Sequence, residues 1–366
     1  MNQLGEVIFL TSEFPPMHGG IGSQAFSIYK ELSKNNYTIS IIAPLSKSEL
    51  GKGVINKKDR IFRYKSNPFF KIVSITFFMI KLLLKNRNST IIASGQLPVI
   101  IIGNLLYIIK YKSIAIIHGH ESIMGKTIRK KIFNFSIKQY DRVIAVSSFS
   151  KNIIEATIPK LDVSVINNGI DINRFKKFPK NKKKINGVRL LTIGSLTERK
   201  GQKNIIDALP LLKKKFDNVF YQMVGKPVLS NKYQNLANSY GVQDLIKIHS
   251  VLPDDLMVDV IYDSNIFIML SNNLISGDVE GFGIAILEAN YFGLPAIGSK
   301  NCGIEDAICD KKTGRLINPN NPNELVEAIE DILANYQNYS KESKKWALSH
   351  DWSILSKAYL EMISGL

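Results

Sequence analysis

Two acids, Glu280 and Glu288, frame the stretch of this sequence richest in chemistry, Ser276 to Gly298, SGDVEGFGIAILEANYFGLPAIG. Gly281, Phe282 and Gly283 follow the first acid, a helical run begins near Ile284, and Gly293, Leu294 and Pro295 stop it before an apolar strand. A glycine-flanked loop opening a helix presents free backbone N–H groups and the positive end of the helix dipole, which suits a phosphate. Carboxylates do the opposite job and accept hydrogen bonds from hydroxyls such as those of a sugar or ribose. Phosphate donors beside hydroxyl acceptors describe a nucleotide-sugar pocket. Taken alone, the two glutamates read more simply as a loop acid and a partly buried helix acid, and the whole stretch must be weighed.

The elements around this stretch must position it. A chain of 366 residues, 45% hydrophobic, is comfortable for two domains. The formal charge of +17 implies an anionic partner. No zinc-finger spacing or RNA-binding aromatic motif occurs, so nucleic acid ranks below phosphate-bearing substrates and anionic lipid. Cys302 and Cys309 are too few for a disulfide framework and fit a reduced, cytoplasmic compartment. The opening residues lack a basic segment ahead of a long apolar core, so no signal peptide is expected. Ile91 to Ile109 carries no charge and could reach across a bilayer, but Ser94, Gly95, Gln96 and Pro98 interrupt it. It is read instead as a buried strand, a turn and a helix starting near Pro98.

Val7 to Leu10 reads as a strand, followed by a Pro-rich loop, the glycines Gly19, Gly20 and Gly22, and a helix through Leu32. That order opens an α/β nucleotide-type domain, although a glycine cluster after a strand also serves as a plain tight turn. Tyr37–Pro44, Ser113–Ile117 and Asp141–Val146 continue as buried strands, the last leading into a helix from Ser150. His118, Gly119, His120 and Glu121 stand at the carboxyl end of the Ser113–Ile117 strand, where open sheets gather ligands. Pro68–Lys85, with Lys71, Lys81 and Lys85, is either a core helix edged by lysines or a segment at a membrane interface. Lys126, Arg129, Lys130, Lys131 and Lys138 stud an amphipathic helix that suits anionic lipid heads or a solvated face.

The lysine-rich run from Lys176 to Lys184 reads as a linker, after which the alternation restarts. Strands are expected at 188–193, 219–224, 245–249, 266–270 and 296–299, with a helix over 202–215. The loop from Gly194 to Gly201 carries Glu198, Arg199 and Lys200, and Trp346–Leu366 reads as a closing helix. Two Rossmann-like domains follow: residues 1–175, a linker at 176–187, residues 188–349, and a C-terminal helix at 350–366.

Four motifs now stand in one order: the N-terminal Gly-rich loop, VINNGIDINRF at the junction, GSLTERKGQ, and VEGFGIAILEA. In them the chain resembles, over essentially its full length, the retaining GT-B glycosyltransferases of family 4. The HGHE element draws it toward the bacterial phosphatidylinositol mannosyltransferase-like branch. The resemblance implies two Rossmann-like domains facing each other across a cleft that closes over the donor, with the C-terminal helix crossing back to the first domain. It implies that Glu280 binds donor-sugar hydroxyls, Glu288 the ribose, and the amides of Gly281, Phe282, Gly283 and Ile284 the sugar and diphosphate. Lys200 matches the lysine that neutralises the leaving diphosphate, and Gly20, beside Gly19, a glycine facing that diphosphate. His118 matches the histidine near the reacting carbon, making His118, Glu280 and Lys200 the catalytic set, while His120 and Glu121 fall on the acceptor side.

One position departs. Many members carry arginine as a second diphosphate cation where this chain has Ser195. Either Arg199 reaches in from a different geometry, or the donor site works with one cation fewer. Sequence offers no D-x-D pair, so neither metal nor other cofactor is expected. The expected partners are a nucleotide sugar (GDP-mannose or a UDP-sugar), a glycan or lipid-linked acceptor, and an anionic membrane surface on the cytoplasmic face. A nucleotide-sugar epimerase or hydrolase on the same fold, or a noncatalytic glycan- or lipid-binding relative, are the alternatives. A dehydrogenase is disfavoured because the first loop lacks the full G-x-G-x-x-G pattern and a ribose-binding acid.

Overall fold

The computed structural model describes residues 5–17, 19–45, 55–56, 58–65, 67–85, 87–119, 127–178 and 186–366. The chain divides into two compact units, one of residues 1–168 together with 352–366, the other of residues 169–351.

The first unit is built on a seven-stranded sheet ordered β3-β2-β1-β4-β5-β6-β7. Its strands are β1 (Glu6–Thr11), β2 (Thr38–Pro44), β3 (Arg60–Tyr64), β4 (Thr90–Ser94), β5 (Ser113–Ile117), β6 (Arg142–Ala145) and β7 (Val163–Val165). All neighbours pair in parallel, as in Val7↔Ile39 and Val7↔Thr90. Parallel pairing requires crossovers, supplied by α1 (Gly20–Lys34), α2 (Pro68–Lys85), α3 (Gln96–Leu106), α4 (Thr127–Ile137) and α5 (Ser148–Thr157). Chain order runs leftward from β1 to β3 and then rightward from β4 to β7, so right-handed crossovers put α2, α3 and α4 on one face. Met79, Ile102 and Phe133, one from each of these helices, meet in a single core with Ile8, Leu10 and Ile91.

Ile91–Ile109 folds as β4 followed by α3, and among the described residues no helix is long and apolar enough to cross a membrane. α5 starts two residues ahead of its expected position, because the Ser147 hydroxyl accepts from the Ser150 N–H at 3.1 Å and caps it. α2 is apolar on two opposite faces: Ile75, Met79, Leu82 and Leu83 are buried, while Val73, Phe77, Ile80 and Leu84 are exposed.

The second unit carries a six-stranded parallel sheet ordered β10-β9-β8-β11-β12-β13. Its strands are β8 (Arg189–Ile193), β9 (Phe220–Val224), β10 (Ile246–His249), β11 (Ile266–Met269), β12 (Ala296–Ser299) and β13 (Gly314–Ile317). The helices are α6 (Ile172–Phe175), α7 (Gln202–Lys215), α8 (Ser230–Ser239), α9 (Asp254–Tyr262), α10 (Ile284–Tyr291), α11 (Pro322–Ala334) and α12 (Tyr336–Ser349). Ile205, Leu209, Tyr233 and Ile329 close one face of this sheet.

Two boundaries differ from the sequence reading. The second unit begins at Gly169, ahead of the lysine run rather than after it. Residues before the run are committed to this unit: Ile170 donates to the His350 carbonyl at 2.9 Å and forms a bridge with Asp351. Most of the linker itself lies outside the described residues. The closing helix is two helices, α12 and α13 (Trp352–Ser364), broken at His350–Asp351, so Trp346 belongs to α12. Trp352 and Tyr359 of α13 are buried in the first unit, where Gln24 of α1 donates to the Tyr359 hydroxyl at 3.2 Å.

Candidate functional site

Open α/β sheets bind ligands at the carboxyl ends of their strands, where the strand order reverses. In the second unit that point lies between β8 and β11. The loop after β8 holds Ser195, Arg199 and Lys200, and the loop after β11 holds Asp278 and Glu280. Non-local pairing of two strands thus brings together residues about 80 positions apart.

A 3₁₀ turn, Glu198–Lys200, ended by Gly201 in the left-handed region (φ 71°), aims the two cations. Any Cβ at Gly201 would stand 1.7 Å from the Leu270 carbonyl oxygen, so only glycine fits. Gly194 allows the Lys200 stem to pass, since a Cβ there would meet Lys200 Cε at 3.3 Å. Asn272 fastens the turn to the β11 loop: its N–H donates to the Arg199 carbonyl at 2.8 Å, and its side chain takes an amide hydrogen of Asn204 at 2.9 Å.

Glu280 is buried, and its Oε2 lies 2.7 Å from Lys200 Nζ and in direct contact with Arg199 Nη1. Arg199 also reaches Asp278 through Nε at 3.1 Å. Two cations therefore face two carboxylates, Glu280 buried and Asp278 37% exposed at the rim. Burial works against ionisation of Glu280, but Lys200 and Arg199 outweigh it and hold the carboxyl below its ordinary range. The Glu280 carbonyl accepts from the Gly303 N–H at 2.9 Å, and a Cβ on Gly303 would stand 2.1 Å from the Gly281 oxygen. Arg199, not Ser195, supplies the second positive side chain of this cluster. Ser195 contributes its carbonyl, which accepts from Gln202 at 3.1 Å.

Three residues beyond Glu280, Gly283 (φ 90°) turns the chain into α10. Phe282 is buried, and the amides of Gly283, Ile284 and Ala285 have no intrahelical acceptor, as at any helix start. Glu288 follows one turn into α10, with Oε1 bound to Arg174 Nη1 at 2.9 Å. Burial raises the Glu288 carboxyl against the opposing pull of Arg174, and the charge of Asp254 raises it further. Arg174 bridges both acids, its Nε donating to Asp254 Oδ2 at 3.0 Å. The short helix α6 holds it there: Asp171 caps the helix by accepting from the Asn173 N–H, and Phe175 packs on Tyr291 and Phe292 at 5.8 and 5.3 Å.

The sequence reading singled out VINNGIDINRF without giving Arg174 a partner, and it did not weigh Asp278. Acids at 278 and 280 alternate by two in an extended loop and so share a side, which was the available signal. Arg174 had none, because Asp254 and Glu288 are remote in sequence. Among the described residues no three His, Cys, Asp or Glu side chains are grouped to hold a metal ion. Cys302 and Cys309 are free thiols.

The first unit has its own reversal point, between β1 and β4. His118, at the end of β5, is buried there with Nε2 2.8 Å from Ser94 Oγ at the end of β4. Gly95 (φ 94°) leaves room for Ser12 of the β1 loop, whose Oγ would be 2.3 Å from a Cβ. Gly19 caps α1 and Gly20 is its first residue. Glu13 occupies this helix start, accepting from the Gly22 N–H at 3.2 Å, and a Cβ on Gly19 would stand 2.1 Å from the same carboxylate. The helix end expected to face a diphosphate is thus already met by an anion of the chain itself. His120, Glu121 and Lys126 lie outside the described residues.

Comparison with known proteins bears on the family and the fold. Residues 173–347 match the family model for glycosyl transferases group 1, and residues 18–174 match that for glycosyltransferase family 4. A GDP-mannose-dependent alpha-(1-6)-phosphatidylinositol monomannoside mannosyltransferase of Mycolicibacterium smegmatis is 24% identical, covering 98% of each chain. The putative colanic acid biosynthesis glycosyltransferase WcaL of Escherichia coli is 25% identical over 47% of this chain and 42% of its own. Among solved structures, sucrose-phosphate synthase of Thermosynechococcus elongatus superposes with a TM-score of 0.81 at 15% identity, covering 99% of this chain and all of that one. Anabaena HepE, in complex with UDP and glucose, does so with a TM-score of 0.78 at 18% identity and the same coverage. The chain belongs to the group 1, family 4 glycosyltransferases, a hexosyltransferase on the GT-B fold.

Proposed function

We propose that the protein is a retaining, metal-independent hexosyltransferase that moves a hexose from a nucleoside-diphosphate sugar to a glycan or lipid-linked acceptor in cell-surface polysaccharide, lipopolysaccharide or glycolipid synthesis. The observation that carries this reading is the convergence of Lys200 and Arg199 on Glu280 beside the amino end of α10. Glycosyl transfer must stabilise a departing diphosphate and a sugar with oxocarbenium character. Cations and backbone N–H groups aimed at the diphosphate act as negative charge develops there, which lowers the barrier. Lys200 and Arg199 provide that charge without a metal. Glu280, ionised by those same cations, accepts hydroxyls of the sugar, and Glu288 accepts those of the ribose. His118 contacts the sugar near the reacting carbon. In the retaining course the acceptor hydroxyl attacks from the face the diphosphate leaves, and a leaving-group oxygen takes the proton.

GDP-mannose is favoured as donor by the name of the mycobacterial relative, and a UDP-sugar by the ligands in the HepE structures. The deciding experiment incubates the protein with each nucleotide sugar, with and without lipid-linked and glycan acceptors, in the presence of EDTA. Acceptor-dependent product with the donor's anomeric configuration is expected, lost in Glu280→Ala and His118→Ala. A rearranged or hydrolysed sugar appearing equally without acceptor would show an epimerase or hydrolase instead.

A further inference from the structure

Between Arg60 and Tyr140 the sequence holds fourteen Lys and Arg residues and a single acid, Glu121. That one segment therefore carries +13 of the chain's +17. It contains α2, α3 and α4, three of the helices that cover one face of the first unit's sheet. The catalytic reading uses none of the three helices.

α2 has a second apolar stripe pointing away from the core. Val73, Phe77, Ile80 and Leu84 recur at intervals of four, three and four residues, the spacing of one helix face. Phe77 is 61% and Leu84 76% exposed, against 0% for Ile75 and Met79 on the opposite side. Lys81 and Lys85 flank the stripe and are exposed. Beyond α3, Tyr107 and Ile108 are exposed, and Tyr107 stacks edge-on against exposed Phe135 of α4 at 5.2 Å. α4 adds exposed Ile128 and Ile132 among Arg129 and Lys131. The two helices share one field: burial and then the charge of Arg129 push the Lys71 ammonium below its ordinary value.

A soluble surface rarely leaves so much aliphatic and aromatic side chain exposed along one layer. A second protein chain would need acids to answer the basic rim, and α2, α3 and α4 contain none with which another copy of this face could reply. An anionic bilayer answers both features, taking the apolar stripe among its acyl chains and the lysines at its phosphates. We infer that the α2–α4 layer docks the enzyme on an anionic membrane surface, with Val73, Phe77, Ile80 and Leu84 inserted and the basic residues of α2 and α4 at the headgroups.

The test is co-sedimentation of the full chain with phosphatidylcholine vesicles, with and without 30% phosphatidylglycerol. Binding is expected to the anionic vesicles, at least tenfold weaker to the neutral ones and weakened similarly by 0.5 M salt. Phe77→Ser with Leu84→Ser should cut anionic-vesicle binding at least tenfold with the melting temperature little changed, since both side chains are mostly in water. Phe77→Trp gives a readout that does not depend on the double variant folding: its added emission should shift to the blue with anionic vesicles and be quenched by brominated acyl chains. No binding to anionic vesicles at low salt would overturn the inference. So would an added emission that brominated chains leave unquenched, or a dimer that the serine variant dissociates in the absence of lipid.

Discussion

Replacing Glu280 by glutamine should separate recognition of the diphosphate from recognition of the sugar. In the wild type Arg199, Lys200, Asp278 and Glu280 sum to no net charge, and the glutamine variant leaves the cluster at +1. Removing one negative charge about 5 Å from an incoming phosphate, at an effective dielectric constant of about 40, strengthens attraction by about 1.5 kcal/mol. Screening trims that to about 1 kcal/mol, or roughly fivefold tighter binding of the nucleoside diphosphate alone. The sugar side moves the other way. A hydroxyl donating to a carboxylate gains about 1 kcal/mol more than one donating to a neutral amide oxygen, so each such bond costs the donor roughly fivefold. Calorimetric titration of Glu280→Gln should therefore show tighter nucleoside diphosphate, little change for the nucleotide sugar, and turnover down at least about a hundredfold. Stability supplies a second readout. The Glu280 carboxyl is held below its ordinary value, so its contribution is present above the unfolded-state pKa and lost as pH falls through the folded value. The gap in melting temperature between wild type and variant should close in acid. A parallel loss of nucleoside diphosphate and nucleotide-sugar affinity in the variant would refute the assignment of Lys200 and Arg199 to the diphosphate.

Arg174→Ala strips the shared cation from Asp254 and Glu288; with Arg174 39% exposed the cost is about 1–2 kcal/mol, or roughly 2–8 °C of melting temperature by calorimetry. Burial has already raised Glu288, whose ionised form is penalised as pH rises through the carboxylate range, so the deficit should be larger at pH 8 than at pH 5. Arg174→Lys should recover only part of it, because an ammonium cannot fork between two acids. Gly201→Ala places a Cβ 1.7 Å from the Leu270 oxygen at a positive φ and should cost at least about 3 kcal/mol, read as a fall of roughly 6 °C or more. Ser94→Ala removes a hydrogen-bond partner of His118 Nε2; a several-fold fall in kcat with donor KM and melting temperature unchanged is expected, and a fall in kcat that tracks a fall in melting temperature would assign Ser94 to folding alone.

What could be read from residues alone was what local chemistry determines. Ser113–Ile117, Ala296–Ser299 and Gln202–Lys215 have the bounds that their apolar runs and stops suggest, because buried parallel strands and an amphipathic helix write themselves into adjacent residues. Among the strands that went unread, β3 and β13 are edges of their sheets, half exposed and interrupted by Arg60, Arg63 and Arg315, so neither shows a continuous apolar run. The break between α12 and α13 was equally hidden, since Asp351 is drawn out of helix by a bridge to Ile170, far away in sequence. The candidate site divides along the same line. Glu280, Glu288 and Lys200 stand in local motifs and were found; Arg174 and Asp278 act through partners that only the sheet order supplies, and the Glu13 carboxylate through a turn that brings it back to the Gly22 amide at the start of α1. Ser195 shows the consequence. Counted along the motif, it leaves the loop one charge short. Counted in space, the 3₁₀ turn ahead of Gly201 swings Arg199 onto the same carboxylate that Lys200 holds, and the cluster keeps two cations. A motif scored position by position measures which residue fills a column; the electrostatics at the β8–β11 reversal depend on which side chains arrive there, and a four-residue displacement along a turn costs nothing if the turn brings the guanidinium back.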